Sequence, residues 1–365
     1  GFRIEPGEIE SILRSHERIE ESVVISRPVE GENRLVAYYK EKNKIKLWPS
    51  LAEYFIYDDL IYNSMVRDEA RNEKYRKALQ KVVKDKIVLE IGPGAEAILS
   101  RLCIDAGAKK VYAVEIMAEA FQKAQKTVEQ LQLTDKILLI HGDVARVELP
   151  GKVDCCISEI VGTIGGSEGA AVIIGSVRKW LNDPTRMIPS RSVTHIAAVT
   201  LPGDEFEYSF DPLGARYTEK IFAQNGNPFD LRLSLLSFPG KNIISTAGIF
   251  EELDFTGEIP LEEEHEIHLE IFRSGILHGF LVWLNLYCDA EEVIYTLEKK
   301  YIWLPIYFPV FSPGEAVQAG DTVKARVRRS LSVNRLNPDY AIRGTLYKKP
   351  GDKFIDFTYE APHRP

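Results

Sequence analysis

The feature that most constrains the fold of this 365-residue chain is a series of alternating strand-like and helix-like segments in its first half. Strand-like runs at 87–91, 110–115 and 137–141 are separated by helical stretches, and a fourth strand-like run follows at 153–157. Consecutive parallel strands need crossover connections, which are usually helices. The alternation therefore predicts a doubly wound parallel sheet.

The ends of these strands carry the residues that a nucleoside-type cofactor needs. The first strand runs into Gly92-Pro93-Gly94, and glycines at such a turn let a ligand approach the backbone closely. The second strand ends at Glu115, where a carboxylate can hold a ribose diol. The third is followed by Asp143, at the position expected near an adenine ring. Nicotinamide- and flavin-binding folds have the same glycine turn. The prediction of a nucleoside-type cofactor therefore rests on the whole series of strand ends.

Beyond residue 190 the pattern changes to short β-type runs separated by Gly, Pro, Asp and Asn, which is typical of an antiparallel sheet or barrel. These runs lie at 193–200, 231–238, 266–272, 279–287 and 323–327.

Composition excludes several classes of function. The net charge of −8 argues against a sequence-independent grip on nucleic acid, which needs a basic surface. No apolar run is long enough to cross a membrane. We therefore expect neither a nucleic-acid nor a membrane partner.

The cysteines fit neither a disulfide framework nor a zinc site, so we expect a cytoplasmic location. His265 and His268 lack further ligands nearby, so we expect no metal. The cysteines are Cys103, Cys155, Cys156 and Cys288.

Two acids follow the fourth strand. The loop begins Ser158-Glu159, and Glu168 stands nine positions after Glu159. Two converging carboxylates can hold a cationic nitrogen and orient its lone pair at a methyl sulfonium. With this spacing the chain resembles the protein arginine methyltransferases, whose "double-E" loop has the same form. The resemblance implies a Rossmann-like domain that binds S-adenosylmethionine, which becomes S-adenosylhomocysteine, followed by a β-barrel-like domain. It also implies that Glu159 and Glu168 are catalytic.

Further stretches extend the resemblance. Residues 65–71 resemble the family's helix in which an arginine clamps the cofactor's carboxylate, and Arg71 matches that position. The barrel stretches 278–283 and 303–314 resemble the family as well. The cofactor-binding residues that follow from the resemblance are Arg71, Glu90, Gly92, Gly94, Glu115, Asp143 and Val144.

The chain also departs from the family pattern. Ile302 stands where the family's Thr-His-Trp motif has its histidine. The double-E loop has Thr163-Ile164-Gly165-Gly166 in place of bulky aromatic residues. We therefore expect an open, glycine-rich mouth that suits a substrate delivered on a long arm.

The first ten residues, 1–10, are similar to a core motif of nonribosomal peptide synthetase adenylation domains, and the likeness continues to residue 39. It implies a small α+β remnant of an adenylation domain, interrupted by a methyltransferase. The expected domains are this remnant at 1–40, a helical cofactor lid at 47–85, a Rossmann-like domain at 86–190 and a β-barrel-like substrate domain at 191–360.

Together the resemblances imply a tailoring methyltransferase that methylates the amine of an aminoacyl group. Its expected partners are a phosphopantetheinyl carrier protein and the rest of the adenylation domain. One alternative is O-methylation of a carrier-bound hydroxyl, with Tyr62 or His195 as the base. The others are protein arginine methylation and a catalytically inactive scaffold.

Overall fold

The computed structural model describes residues 6–16, 19–29, 32–41, 44–54, 56, 58–203, 206–297, 303–349 and 353–364. Residues 1–5 of the adenylation-like motif and Ile302 lie outside these described residues.

The N-terminal segment is a helix packed on a hairpin. Helix α1 (Pro6–Ser15) precedes the antiparallel strands β1 (Ile19–Val29) and β2 (Glu32–Glu41). The main-chain N–H of Val24 donates to the Glu10 carboxylate at 2.8 Å, which fixes the helix against the first strand. The segment therefore has the α+β composition expected for residues 1–40.

Strand β3 (Ile45–Pro49) comes next and overlaps the start of the helical lid, which had been expected to begin at residue 47. It is a strand because it pairs with two strands of the second domain, which supply its backbone partners and bury Ile45. A 3-10 turn (Ala52–Tyr54) and helices α2 (Asp59–Val66) and α3 (Glu69–Val82) follow.

The Rossmann-like domain is built on a five-stranded sheet. Its elements are β4 (Ile87–Ile91), α4 (Ile98–Asp105), β5 (Lys110–Glu115), α5 (Ala118–Gln130), β6 (Ile137–His141), β7 (Cys155–Ser158), α6 (Ala170–Val177), a 3-10 turn (Arg178–Trp180) and β8 (Met187–Ile188). The strand order is β6-β5-β4-β7-β8, and every pairing is parallel. The predicted doubly wound parallel sheet is confirmed. Its strand order reverses between β4 and β7, and such folds bind ligands outside the carboxyl ends of the strands at this switch point.

The second domain is largely β-structure. Its elements are β9 (Arg191–Val199), β10 (Phe206–Phe210), α7 (Pro212–Asn225), β11 (Leu233–Leu236), a 3-10 turn (Gly240–Asn242), β12 (Gly248–Asp254), β13 (Glu263–Glu270), β14 (Gly275–Leu277), β15 (Gly279–Tyr287), β16 (Val293–Tyr295), β17 (Ile306–Phe308), β18 (Glu315–Val317), β19 (Thr322–Leu331), β20 (Pro338–Lys348) and β21 (Lys353–Ala361).

Sheet pairing gives this domain its barrel-like form. One sheet has the order β10-β3-β11-β17-β15-β9-β12, with β16 beside β15, and a second has the order β13-β19-β20-β21. A third, two-stranded sheet joins β14 and β18. The pairings are antiparallel except that of β3 with β10. The predicted antiparallel, barrel-like second domain is confirmed.

The two domains share a hydrophobic core. The cluster that surrounds the parallel sheet also contains Leu284, Leu286, Ile294 and Trp303 from the second domain. Burial of such side chains contributes about 1.5–3 kcal/mol each. This shared core fixes the parallel sheet against the barrel, so residues from both domains can form one site.

No helix in the described parts of the chain is long and apolar enough to cross a membrane. The four cysteines are free thiols, and all of them are buried. The cytoplasmic location stays a prediction, as do the expected domain boundaries.

Candidate functional site

A cavity of about 450 Å³ lies over the carboxyl ends of β4 and β5. The structure brings all of the predicted cofactor-binding residues to its walls. They are Arg71, Glu90, Gly92, Gly94, Glu115, Asp143 and Val144. The cavity also reaches the β19–β20 connection of the barrel through Asn334, Leu336 and Asn337, which the sequence had not indicated.

The glycine turn depends on backbone geometry that other residues adopt poorly. Gly92 has φ +68° and Gly94 has φ +64°, both in the left-handed region. A Cβ on Gly94 would stand only 3.1 Å from Cε1 of Tyr62. The second glycine therefore lets helix α2 lie directly across the turn and form one wall of the cavity.

The carboxylate of Glu115 is held in a fixed position at the end of β5. Its two oxygens accept hydrogen bonds from the main-chain N–H groups of Gly94, at 3.0 Å, and Met117, at 2.8 Å. Burial raises the pKa of Glu115, and these hydrogen bonds oppose that shift. Each oxygen keeps further acceptor capacity, so the group fits the two hydroxyls of a ribose.

Glu90 is the most deeply buried acid of the cavity wall, with 1% of its surface exposed. It accepts a hydrogen bond from the hydroxyl of Ser100. Burial raises the pKa of Glu90 to about 7, against a smaller lowering by this bond. Near neutral pH the group is therefore close to half protonated, which gives this wall both a donor and an acceptor.

Arg71 also lines the cavity and is only 4% exposed. Its Nη1 donates to the carbonyl of Met65 at 3.1 Å, and its Nη2 lies 3.6 Å from Oε2 of Glu159. The Nε group is buried and has no hydrogen-bond partner among the described residues. A buried donor without a partner costs about 1–3 kcal/mol. The carboxylate of an amino-acid cofactor would supply that partner, so the site fits S-adenosylmethionine.

A second cavity of about 620 Å³ adjoins the first. Glu159 and Glu168 line both cavities, so the predicted catalytic pair stands at their common wall. The side chain of Glu159 is 7% exposed. Burial raises the pKa of Glu159, and the nearby Arg71 guanidinium opposes this shift.

The walls of the second cavity are acidic and aromatic. Besides the glutamate pair it has Asp68 and Glu69 at the start of α3, with Arg67 as its one cation among the described residues. Oδ2 of Asp68 is buried and without a hydrogen-bond partner in the described structure, while Oδ1 caps the helix at Arg71 N. Trp48 and Trp303 contribute apolar surface. The excess of carboxylates over cations favours a positively charged guest.

Three hydrogen bonds anchor the first half of the double-E loop. The Tyr75 hydroxyl donates to the carbonyl of Ser158 at 3.0 Å. The indole Nε1 of Trp303 donates to the carbonyl of Val161 at 2.7 Å, and the Thr163 hydroxyl donates to the carbonyl of Leu304 at 2.8 Å. The sequence had indicated Trp303 only as part of a family-like stretch, since its partner lies far away along the chain.

The expected open mouth at Gly165 and Gly166 is wrong. Both glycines are buried against the barrel, where their main-chain N–H groups donate to Thr194 and Glu251. A Cβ on Gly166 would stand 2.8 Å from the Glu251 carboxylate, and one on Gly165 would clash with the Ser192 hydroxyl. The missing side chains make room for neighbouring protein atoms rather than for a substrate.

The two bases considered for oxygen methylation are placed differently. Tyr62 lines the cofactor cavity, but burial raises its pKa to about 12. His195 lies in β9, stacked on Trp283 and hydrogen-bonded to Asn285, and it lines neither cavity.

Metal-binding geometry is absent from the parts of the chain that the structure describes: no group of three or more His, Cys, Asp or Glu side chains is arranged to hold an ion. His265 and His268 lie three residues apart on strand β13, so they face opposite sides of its sheet.

Known proteins resemble the chain over this region. A family model described as PRMT5 arginine-N-methyltransferase matches residues 33–188. The histone-arginine methyltransferase CARMER of Anopheles gambiae is 36% identical over 254 residues, which cover 65% of this chain and 40% of that protein. The crystal structure of protein arginine methyltransferase 10 of Arabidopsis thaliana has a TM-score of 0.67 and 22% identity, over 82% of this chain and 96% of that one. The Trypanosoma brucei PRMT1 enzyme–prozyme complex with AdoHcy has the same TM-score and identity, over 85% and 99%.

These likenesses establish the Rossmann-like methyltransferase fold with a β-barrel-like second domain. The sequence matches show that the chain is similar to protein arginine methyltransferases, which are of the S-adenosylmethionine-dependent class. The chain spans about half the length of the curated relatives that it matches. The expected cofactor is confirmed for this class, and the trypanosomal neighbour was solved with its product, AdoHcy.

The expected partners are wrong. The matching proteins are described as arginine methyltransferases, one of them as a histone-arginine methyltransferase, and none of these descriptions includes a carrier protein or an adenylation domain. The adenylation-like interpretation of residues 1–40 and the assignment to peptide-synthetase tailoring receive no support from these matches.

Proposed function

We propose that this chain transfers a methyl group from S-adenosylmethionine to a guanidinium nitrogen of arginine in a protein substrate. One observation carries the proposal: Glu159 and Glu168 line both the cofactor cavity and the acidic second cavity. A cation bound by the pair from the second cavity would therefore face the cofactor across their common wall.

The residues of the first cavity would hold the cofactor. Arg71 has an unpartnered, buried Nε for its carboxylate, and Glu115 has acceptor capacity for its ribose. The left-handed turn at Gly92 and Gly94 admits the ligand close to the backbone. When bound, S-adenosylmethionine supplies a methyl group that is already activated on a sulfonium, so the protein's main contribution is positioning.

The glutamate pair would bind and orient the guanidinium. A planar guanidinium offers a fork of N–H donors that matches carboxylates in bidentate geometry. The accepting nitrogen gains the methyl group and gives up one proton, so the product stays a monocation. Burial raises the pKa of Glu159, which makes it a better proton acceptor than an exposed carboxylate.

The same geometry disfavours oxygen methylation. Two carboxylates stabilise a cation but repel a developing alkoxide. Tyr62 has a pKa raised to about 12 and cannot serve as a base near neutral pH. His195 lines neither cavity.

The test uses the chain as it stands, S-adenosylmethionine and three peptides that differ only in carrying Arg, Lys or citrulline at one position. Mass spectrometry should find a gain of one CH₂ on the arginine peptide alone. The lysine peptide separates a general amine pocket from a guanidinium pocket, and citrulline removes the charge while keeping the shape. Methylation of lysine but not of arginine would overturn the proposed substrate.

A further inference from the structure

We propose that Glu251, on barrel strand β12, is a positioning residue that fixes the second half of the double-E loop and with it Glu168. The inference rests on the proposed function, because it concerns the same site. Glu251 lines neither cavity, so it would act through the loop alone.

Three donors from different parts of the chain meet at the Glu251 carboxylate. Oε2 accepts from the main-chain N–H of Gly166 at 2.7 Å. Oε1 accepts from the hydroxyl of Tyr340 at 2.9 Å and from Nη1 of Arg329 at 3.1 Å. Glu251 is 2% exposed, and Arg329 and Tyr340 are buried with it. Hydrogen bonds to a buried, charged acceptor are stronger than those between neutral groups.

The backbone of β12 is irregular where it carries this residue. Its register against β9 shifts between Ile249 and Glu251, and such irregularities re-aim side chains. On the other side of the contact, Gly166 has no Cβ, which would otherwise stand 2.8 Å from the carboxylate. Both elements are therefore shaped for a direct contact between side chain and main chain.

The barrel holds three consecutive residues of the loop. The N–H of Gly165 donates to the Thr194 hydroxyl at 3.0 Å, and Asn337 Nδ2 donates to the carbonyl of Ser167 at 2.8 Å. Glu251 holds Gly166, which lies between these two residues, and of the three contacts this one involves a charged group. Glu168 follows directly after this segment.

The two carboxylates of the pair are thus positioned from different sides. Glu159 follows β7 and lies beside Arg71 of helix α3. Glu168 follows a segment that the barrel fixes through Glu251. The barrel would therefore set the separation of the pair as well as forming part of the substrate cavity.

Only a carboxylate satisfies all three donors. A glutamine has one acceptor oxygen and an NH₂ group that donates, so it would set a donor against Gly166 or against Arg329. The Glu251→Gln variant keeps the size of the side chain and removes this match. It also removes one of the two carboxylates that pair with the buried Arg329, and Glu263 is the other.

Hydrogen exchange followed by mass spectrometry measures how well the backbone amides of the loop are protected, and it does not require enzymatic activity. In the Glu251→Gln protein we expect amide exchange of residues 162–169 to be about tenfold faster, and exchange of strand β4 to be unchanged. The dissociation constant for S-adenosylmethionine should stay within about twofold, while kcat on the arginine peptide falls at least about tenfold. Unchanged exchange in the loop, or equal acceleration in the loop and in β4, would overturn the proposal.

A milder variant decides the question if Glu251→Gln does not fold. Tyr340→Phe removes one donor and keeps the charged pair, so we expect loop exchange to be about threefold faster. Tyr359→Phe is the matched control, because this tyrosine packs on Phe308 in the same domain and has no hydrogen bond to Glu251. Equal exchange in both variants would contradict the proposal. If the wild-type protein methylates no arginine peptide, the proposed function fails, while the exchange result still decides what Glu251 does.

Discussion

Nη2 of Arg71 lies 3.6 Å from Oε2 of Glu159, and this ion pair joins the cofactor cavity to the second cavity. Both side chains are almost fully buried, so each depends on the other for charge compensation. One guanidinium would thus serve two purposes, since it would bind the cofactor's carboxylate and keep a glutamate of the methyl-acceptor site in place.

We expect Arg71→Lys to weaken binding of S-adenosylmethionine at least about tenfold, because an ammonium lacks the Nε donor and the planar fork. Isothermal titration calorimetry measures the change. The matched control is Arg76→Lys on the same helix, whose partner Glu73 is half exposed and lines neither cavity. Equal affinities of the two variants would show that Arg71 does not contact the cofactor.

Removing either charge of the glutamate pair should reduce catalysis more than cofactor binding. For Glu159→Gln and Glu168→Gln we expect kcat on an arginine peptide to fall by about 10²-fold or more, since each loses a charged contact to the reacting group. Glu119→Gln is the control, because Glu119 is exposed on helix α5 and lines neither cavity. Full turnover by both pair variants in a quenched-flow assay would refute the mechanism.

The glycine turn gives a third prediction. Gly94→Ala places a Cβ at φ +64° and 3.1 Å from Tyr62, so we expect a loss of roughly 1–2 kcal/mol in the free energy of unfolding and weaker cofactor binding. Adding Tyr62→Ala relieves the contact but not the backbone strain, so stability should recover only in part. Gly175→Ala in helix α6 has free space around it and should be neutral or stabilising. Urea denaturation of the four proteins tests these expectations.

The parallel sheet could be predicted from the sequence because each of these strands has a recognisable local pattern. Strands β4, β5 and β6 occupy the predicted ranges, since buried parallel strands are continuous apolar runs that end at turns. Strand β3 was missed because Ile45–Pro49 mixes charged, apolar and proline residues. Its partner β11 lies almost 190 residues further on, and only that non-local pairing makes the segment a strand.

The residues of the candidate site also differ in whether a local sequence pattern identifies them. Residues at strand ends, such as Glu115 and Asp143, are local features that can be identified in the sequence. The contacts of Glu251 with Gly166 and of Trp303 with Val161 join distant parts of the chain, and no local sequence pattern predicts them. The interpretation of Gly165 and Gly166 failed for the same reason. A glycine shows that a side chain is missing, but the fold decides whether solvent or a neighbouring element fills the space.

The buried acid of the cofactor cavity predicts a pH dependence of stability. The pKa of Glu90 is about 7 in the folded chain, against an ordinary value of 4.5. Between these values the folded state binds more protons than the unfolded state, so the free energy of unfolding falls as pH rises through this window. The full effect is on the order of 3 kcal/mol and is reached above pH 7.

Glu90→Gln removes this titration while keeping the shape of the side chain. Without cofactor, we expect the wild-type protein to lose stability from pH 5 to pH 8 and the variant to lose clearly less, so that the difference between them grows in favour of the variant. Urea denaturation at several pH values measures it. Glu96→Gln is the control, since that carboxylate lies in the turn that follows β4 and is about half exposed. Parallel curves for wild type and Glu90→Gln across this range would mean that the Glu90 carboxyl is not buried in the folded protein, because desolvation is the largest cause of its raised pKa.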